Sequence, residues 1–301
     1  MLLDSASLYL RAFYGVPESV AAPDGTPVNA VRGFFDMVAT LVTRFRPARL
    51  VACMDADWRP AFRVAALPSY KAHRLAPDGG EESPDALTPQ VPVIEDALDA
   101  LGIARVGIAG YEADDVIGTL TARGRGPVDV VTGDRDLFQL VNDDGPVRVL
   151  YTGRGVRNLQ ILDEAAVAAK YGIPGRAYGE FAVLRGDPSD GLPGVAGIGD
   201  KTAAALITRF GSVAGLLAAI DAGQTDGLPA GARTKLAAAT DYLAVAPMVV
   251  RVAPDAPLPD FDDALPATPA DPAALVDLCD RWGLDSSIER VLKSFEVARN
   301  P

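Results

Sequence analysis

A mainly parallel α/β sheet, covered by helices on both faces and continued by a helical subdomain, is the fold class this sequence predicts. Three observations predict it. Short apolar runs rich in β-branched residues alternate with helical periodicity through residue 136, the pattern of a parallel sheet whose faces are both covered. Acidic residues stand at or just past the ends of those runs, where open α/β sheets bind ligands. After residue 165 the periodicity becomes helical.

Taken in order, MLLDSASLY (1–9) reads as a short buried strand ending near Asp4. VNAVRGFFDMVATLVTRF (28–45) has helical spacing, and ARLVACMD (48–55) is a β-rich run ending on Asp55. Residues 91–101 predict a helix and IARVGIA (103–109) a strand. YEADDVIGTLTARG then predicts a helix with its acids in the first turn. VDVVTGDRD (128–136) is another buried strand, ending on Asp134 and Asp136. VRVLYT and VRNLQIL predict a hairpin around GRG. LAPDGGEESPDALTPQ (75–90) reads as a mobile connection. The stretch 253–272 lacks periodicity, and a closing helix pair is expected over roughly 272–295.

Composition sets outer limits. The 301 residues are 49% hydrophobic and 23% charged, enough for a real core in one large domain or two smaller ones. Cys53 and Cys279 lie too far apart to suggest a metal pair or a disulfide framework. The first residues lack a basic segment and carry Asp4 inside their apolar run, so neither a signal peptide nor a membrane span is predicted. A cytoplasmic bacterial protein, monomeric and without a membrane partner, is expected. The formal net charge of −12 argues against a nucleic-acid partner on the backbone term alone. Binding depends on where charges sit, however, and bound cations neutralise acids that the formal count leaves charged.

The acids have a pattern. Asp4 and Asp55 end two strands, Glu112, Asp114 and Asp115 crowd GYEADD, Asp134 and Asp136 sit in TGDRD, and Asp187 and Asp190 in GDPSD. Each cluster alone has an ordinary reading as turn, helix start or loop ion pair. Together they form an all-oxygen donor set, which selects hard cations such as Mg²⁺ or Mn²⁺. Two such ions can activate water and stabilise a leaving oxygen in phosphodiester cleavage. Nine acids exceed the needs of two ions, so some act through bound water, hold a third ion, or pair with Arg or Lys.

Basic and glycine-rich segments complement them. SYKAHR supplies Tyr70, Lys71, His73 and Arg74, and Arg59 and Arg63 lie upstream as further candidates for DNA contact. If this segment is helical, Lys71 and Arg74 share a face and can hold a phosphate, while Tyr70 can stack on a base. His73 reads as a surface residue. GVAGIGDKTAAALITRFGS (194–212) places Gly194, Gly197 and Gly199 in a tight hairpin, with Asp200 as a cap for the next helix. The amides there, with Lys201 and Thr202, suit a phosphate contact that reads backbone rather than base.

GYEADD, TGDRDLFQLV, LRGDPSDGLPGVAGIGDKTA and SYKAHR, within a likeness that runs from residue 1 to about 295, resemble the flap endonuclease and 5′→3′ exonuclease family. The likeness is greatest to the N-terminal nuclease domain of bacterial DNA polymerase I and its free-standing relatives. The resemblance implies a first metal surrounded by Asp4, Asp55, Glu112 and Asp114. It implies a second surrounded by Asp134, Asp136, Asp187 and Asp190, with Asp115 close by. It implies a helical arch over about 65–92 whose Lys71 and Arg74 join Asp114 and Asp134 in catalysis. It further implies a helix–hairpin–helix element over about 178–212 that grips duplex DNA and holds K⁺. The expected division is a nuclease core over 1–165 and a helical subdomain over 166–301. The expected activity is structure-specific cleavage of DNA at 5′ flaps and 5′ ends, in primer processing and repair. A PIN-like ribonuclease and a non-catalytic branched-DNA binder of the same fold are the alternatives.

Overall fold

The computed structural model describes every residue except Asp78, Arg125, Thr225, Ala230 and Pro301. Its strands are β1 (Leu2–Asp4), β2 (Val51–Cys53), β3 (Ala104–Val106), β4 (Val128–Thr132), β5 (Val147–Tyr151) and β6 (Gln160–Leu162). They form one sheet in the order β3-β2-β1-β4-β5-β6. All neighbouring pairs are parallel except β5 with β6. Leu2 of β1 faces Val51 on one side and Val130 on the other.

Successive strand residues enter opposite cores, as a pleated strand requires. Leu3, Ala52, Val131 and Leu150 pack with Phe34, Phe35, Ile94 and Phe295. Leu2, Val51, Val130 and Val149 pack with Val116, Ile117, Phe138 and Phe181. The sheet is therefore buried on both faces, which is why its strands are nearly uniform apolar runs.

The first strand is short and ends at Asp4, as the sequence suggests. Asp4 accepts a hydrogen bond from the Ser7 amide (3.0 Å) and so caps the helix Ser5–Gly15. The expected hairpin has a longer connection. Val156–Asn158 forms a 3₁₀ turn, leaving only β6 to pair with β5. Between Ala66 and Gln90 the described residues hold no α-helix, only the 3₁₀ turn Ala72–Arg74 and an isolated Leu75–Glu81 bridge. Asp78, in the segment read as mobile, lies outside the described residues.

The closing helices Pro272–Trp282 and Asp285–Arg299, within the expected 166–301 stretch, return to the sheet body. Their apolar faces, with Leu275, Ile288, Val291 and Phe295, pack on Phe34, Phe35 and Leu98 of the sheet body. The aperiodic 253–272 segment carries the chain back across the sheet, pairing Ala264 with Arg49 on the way. Among the described residues, no single helix is long and apolar enough to cross a membrane.

Candidate active site

The strand order places a topological switch between β1 and β4, since the chain leaves β1 toward β2 and later crosses back to β4. Ligands of open α/β sheets bind at that crevice, outside the carboxyl ends of the strands. Asp4 ends β1, Asp55 follows β2, and Asp134 and Asp136 follow β4. Glu112 and Asp114 come from the start of the helix Ala113–Ala122. A cavity of about 1090 Å³ is lined by Asp4, Asp55, Glu112, Asp114 and Asp134.

Short hydrogen bonds fix these groups. The Thr132 hydroxyl donates to Asp4 Oδ2 (2.6 Å), and the Asp134 amide donates to the same hydroxyl oxygen (2.8 Å). The Asp136 amide donates to Asp134 Oδ1 (3.0 Å), and the Ala113 amide to Asp55 Oδ1 (2.7 Å). The pattern ties the end of one strand to the loop of the next. Burial, with Asp55 and Asp134 nearby, pushes the Asp4 carboxyl up to about 7 against its two hydrogen bonds. Burial, then the charges of Asp4 and Asp134, raises Asp114 well above the usual carboxylate range. Asp136 rises through burial and the charges of Asp134, Asp190 and Asp187. Like charges that disturb one another this strongly are held close in a low-dielectric place.

Two observations show that the donor set suits divalent cations. It is entirely oxygen, the chemistry of Mg²⁺ and Mn²⁺. Asp136 is buried, and its Oδ1 has no hydrogen-bond partner, an arrangement that normally costs free energy unless a ligand completes it. Among the described residues no three carboxylates stand close enough to enclose one ion as placed.

Cations reach the cavity from the segment after the helix Ala61–Ala66. Lys71 donates through Nζ to Glu112 Oε1. Arg74 donates through Nη2 to the Ser189 carbonyl (2.7 Å) and Asp190 Oδ1 (3.2 Å). The Lys71 amide donates to the Asp190 carbonyl (3.0 Å), and the Ser69 hydroxyl to that of Gly191 (2.9 Å). This segment is thus docked on the Asp187–Gly191 turn.

The helices Tyr178–Arg185 and Asp200–Phe210 flank a hairpin. Gly194 has φ +66°, and a Cβ there would meet the Arg185 carbonyl oxygen at 2.6 Å, so only glycine fits. The second helix begins at Asp200 itself, with Gly199 at the cap position and no side-chain cap. Asp200 is therefore not the cap that the sequence suggested, and among the described residues the first-turn amides beside Lys201 and Thr202 have no partner. The Gly197 carbonyl accepts from Lys235 Nζ (2.8 Å).

A family model described as the 5′-3′ exonuclease N-terminal resolvase-like domain matches residues 1–172. A second, the 5′-3′ exonuclease C-terminal SAM fold, matches residues 173–273. The chain belongs to the 5′-3′ exonuclease family. It is accordingly a 5′ nuclease. It is 63% identical over 298 residues to a 5′-3′ exonuclease of Streptomyces coelicolor, covering 97% of this chain and 98% of that one. A 5′-3′ exonuclease of Mycobacterium tuberculosis is 54% identical over 311 residues, covering 99% and 98%. DNA polymerase I of Mycobacterium bovis is 43% identical over 226 residues, which are 74% of this chain and 24% of that one. The T5 D15 protein co-crystallised with metal ions shares the fold, with a TM-score of 0.65 at 17% identity, covering 99% and 98%. The catalytic core of Rad2 in complex with DNA superposes with a TM-score of 0.56 at 17% identity, covering 98% and 91%.

Within this 5′-3′ exonuclease family chain, three expected site residues are buried behind the cavity wall, and a fourth, Arg59, is tied to loop carbonyls. Arg63, expected on DNA, is 2% exposed and donates to Glu112 and to both oxygens of Asp115. Tyr70, expected to stack on a base, is 4% exposed and donates its hydroxyl to Glu112 Oε2 (2.7 Å). Asp115, expected near the metals, is fully buried, with its oxygens taken by Arg63 and the Ala253 and Glu112 amides. Arg59 pins the loop by donating to the Tyr70 and Pro68 carbonyls. Lys71 and Arg74 share no helical face, because Lys71 adopts φ 47° ahead of the 3₁₀ turn. His73 is exposed, as expected.

Asp187 is more constrained than its turn signature implied. Its Oδ1 accepts from the Ser189 amide (3.0 Å) and hydroxyl, and its Oδ2 from Arg185 Nη2 (3.1 Å). Two supporting residues escaped sequence reasoning. Arg185 left no signal, whereas Thr132 directly precedes the GDRD acids and could have been noticed as their nearest hydroxyl.

Proposed function

We propose that this 5′ nuclease is a metal-dependent, structure-specific enzyme that hydrolyses DNA phosphodiesters at 5′ flaps and 5′ duplex ends. One observation carries the proposal. Carboxylates from three strand ends and one helix start meet at a single switch-point cavity, beside Lys71 and Arg74. The family, and structural relatives whose names record metal ions and bound DNA, support it.

Asp4, Asp55, Glu112 and Asp114 are the group for a first divalent cation, and Asp134, Asp136 and Asp190 the group for a second. Asp187 holds the turn that carries Asp190. Mg²⁺ or Mn²⁺ bound there would supply an activated water and stabilise the leaving oxygen. Lys71 keeps Glu112 oriented, and an ammonium has further N–H donors for a phosphate oxygen. Arg74 approaches from the same side, already aligned by Ser189 and Asp190. The open amides at Asp200–Thr202, with Lys201, hold the duplex backbone away from the chemistry. K⁺ at the hairpin would use carbonyls other than that of Gly197, which Lys235 occupies. Hydrolysis leaves a 5′-phosphate and a 3′-hydroxyl, the ends that primer processing and repair require.

In this reading the nuclease body is residues 1–165 plus the two returning C-terminal helices. The DNA-gripping module is the helical stretch between them. The test is cleavage of a 5′-flap DNA, a 5′-recessed duplex and an unstructured RNA with Mg²⁺ or Mn²⁺. Preference for the RNA would favour a PIN-like ribonuclease, and tight flap binding without cleavage a non-catalytic binder. Asp134→Asn as active as the parent would refute the metal assignment.

A further inference from the structure

The cavity is lined by more carboxylates than cations, which is a poor surface for a polyanion. Lys71 is engaged by Glu112, and Arg74 by Asp190 and, more loosely, Glu81 (3.9 Å). The remaining cations on the wall are Arg11, Arg135 and Arg154. None of the three has an ion-pair or side-chain hydrogen-bond partner among the described residues. They come from separate places in the chain. Arg11 lies on the helix after β1, Arg135 in the loop after β4, and Arg154 in the connection after β5.

Arg11 is the informative member. Its Nε is buried and lacks any acceptor, as does the neighbouring buried hydroxyl of Thr152. Both crowd the space over Gly133, where a Cβ would lie 3.1 Å from Arg11 Nη2 and 3.4 Å from Thr152 Oγ1. A glycine between β4 and Asp134 thus leaves the room in which Arg11 lies. Buried donors without acceptors are uncommon in folded chains, and guanidinium donors suit phosphate oxygens through their planar fork.

We infer that Arg11, Arg135 and Arg154 form a second phosphodiester-binding wall of the cavity, carried by the helix after β1 and the connections after β4 and β5. A bound strand would cross the carboxylates with its backbone held on both sides of the scissile phosphate. This deepens the proposed function and rests on it. It also explains how a chain with a net charge of −12 attracts DNA: the unpaired cations of the cavity are gathered on one wall.

The test uses the full chain and the exposed pair, Arg135→Gln and Arg154→Gln, singly and together. Arg281→Gln, on the distant C-terminal helix, controls for loss of one positive charge. Binding of a fluorescent 5′-flap DNA is measured by anisotropy with Ca²⁺ across a salt series, and cleavage kinetics with Mg²⁺. The expected result is a threefold to tenfold loss of affinity per variant (about 1 kcal/mol at the 1.4 kcal/mol per decade of binding). The slope of log K against log salt should fall by about 0.7–0.9 for each phosphate that is no longer neutralised. KM should rise more than kcat falls. Variants indistinguishable from Arg281→Gln in affinity and slope would overturn the inference while leaving the nuclease reading intact. A parent that neither binds nor cleaves the flap would instead overturn the function on which it rests.

Discussion

Arg63 and Asp115 face each other through two parallel 2.7 Å hydrogen bonds in a region closed to water. The same guanidinium donates to Glu112 Oε2 (2.7 Å) and to the Val249 carbonyl (2.9 Å), while Asp115 accepts from the Ala253 amide (2.8 Å). One ion pair therefore joins the helix Ala61–Ala66, the carboxylate-bearing helix start, and the chain leaving the helical module. Burial opposes the Arg63 charge, but its hydrogen bonds to Asp115 and the charge of Glu112 more than restore it. Breaking a buried pair from one side leaves the other charge uncompensated, at about 3–5 kcal/mol. Arg63→Ala and Asp115→Ala should each lose about that much in urea unfolding. Arg63→Lys should lose a large part of it, because an ammonium cannot make the fork. A loss below about 1 kcal/mol for Arg63→Ala would show that the pair does not hold these elements together.

Tyr70 offers a sharper discrimination. A base-stacking tyrosine would tolerate phenylalanine, since the ring does the stacking. The buried Tyr70 instead gives its hydroxyl to Glu112. Tyr70→Phe should therefore cost about 1–2 kcal/mol in stability through the loss of a buried hydrogen bond to a charged carboxylate, whose Oε2 keeps only Arg63, with unchanged affinity for a flap DNA. Anisotropy and denaturant unfolding on the same preparation separate the two outcomes.

Gly191 marks where the Ser69–Arg74 segment rests on the acidic turn. Its φ is +71°, and a Cβ would fall 2.1 Å from the Ser69 carbonyl oxygen. Gly211 is the natural comparison, with φ +79° but nothing within 4 Å of its Cβ. Gly211→Ala should cost only the left-handed backbone penalty of about 1–2 kcal/mol. Gly191→Ala adds a clash with backbone, which can be relieved only by moving Ser69 and with it Lys71. It should cost more stability in thermal melts and lower cleavage at least tenfold, whereas Gly211→Ala should leave cleavage within about twofold.

The parallel sheet was legible because burial on both faces leaves apolar runs that alternate with amphipathic helices. The convergence of Asp4, Asp55, Asp114 and Asp134 followed from one topological rule about strand ends. What escaped the sequence was depth. Arg63 and Tyr70 flank Lys71 in a segment whose composition looks like a solvated basic face. Only tertiary packing against Glu112 and residues 249–253 decides that Lys71 and Arg74 face the cavity while Arg63 is enclosed. Asp115 is similarly ambiguous, since adjacent acids at a helix start differ in direction by the helical rotation alone. The returning C-terminal helices were visible as helices, but their partner, the Phe34–Phe35 face, lies some 250 residues away in sequence, beyond what local periodicity reports.

Asp136 separates catalytic design from structural support. It is buried with one oxygen unpartnered, and burial together with Asp134, Asp190 and Asp187 pushes its carboxyl well upward. Its charge works against the fold unless a cation offsets it. Asp136→Asn removes one of these crowded charges, so in chelator the variant should be at least as stable as the parent. With millimolar Mg²⁺ or Mn²⁺ the parent should gain stability by mass action, about 2.7 kcal/mol at a hundredfold excess over Kd. The variant should gain much less and lose cleavage by at least about a hundredfold, in line with the loss of one electrostatic stabiliser. Asp115→Asn should show the reverse pattern, losing stability in chelator because its partner is Arg63 and not a metal. Thermal melts of the three proteins with and without divalent cation decide the matter. If Asp136→Asn destabilises the metal-free protein as strongly as Asp115→Asn, Asp136 is a structural residue and the second cation group must be redrawn around Asp134 and Asp190.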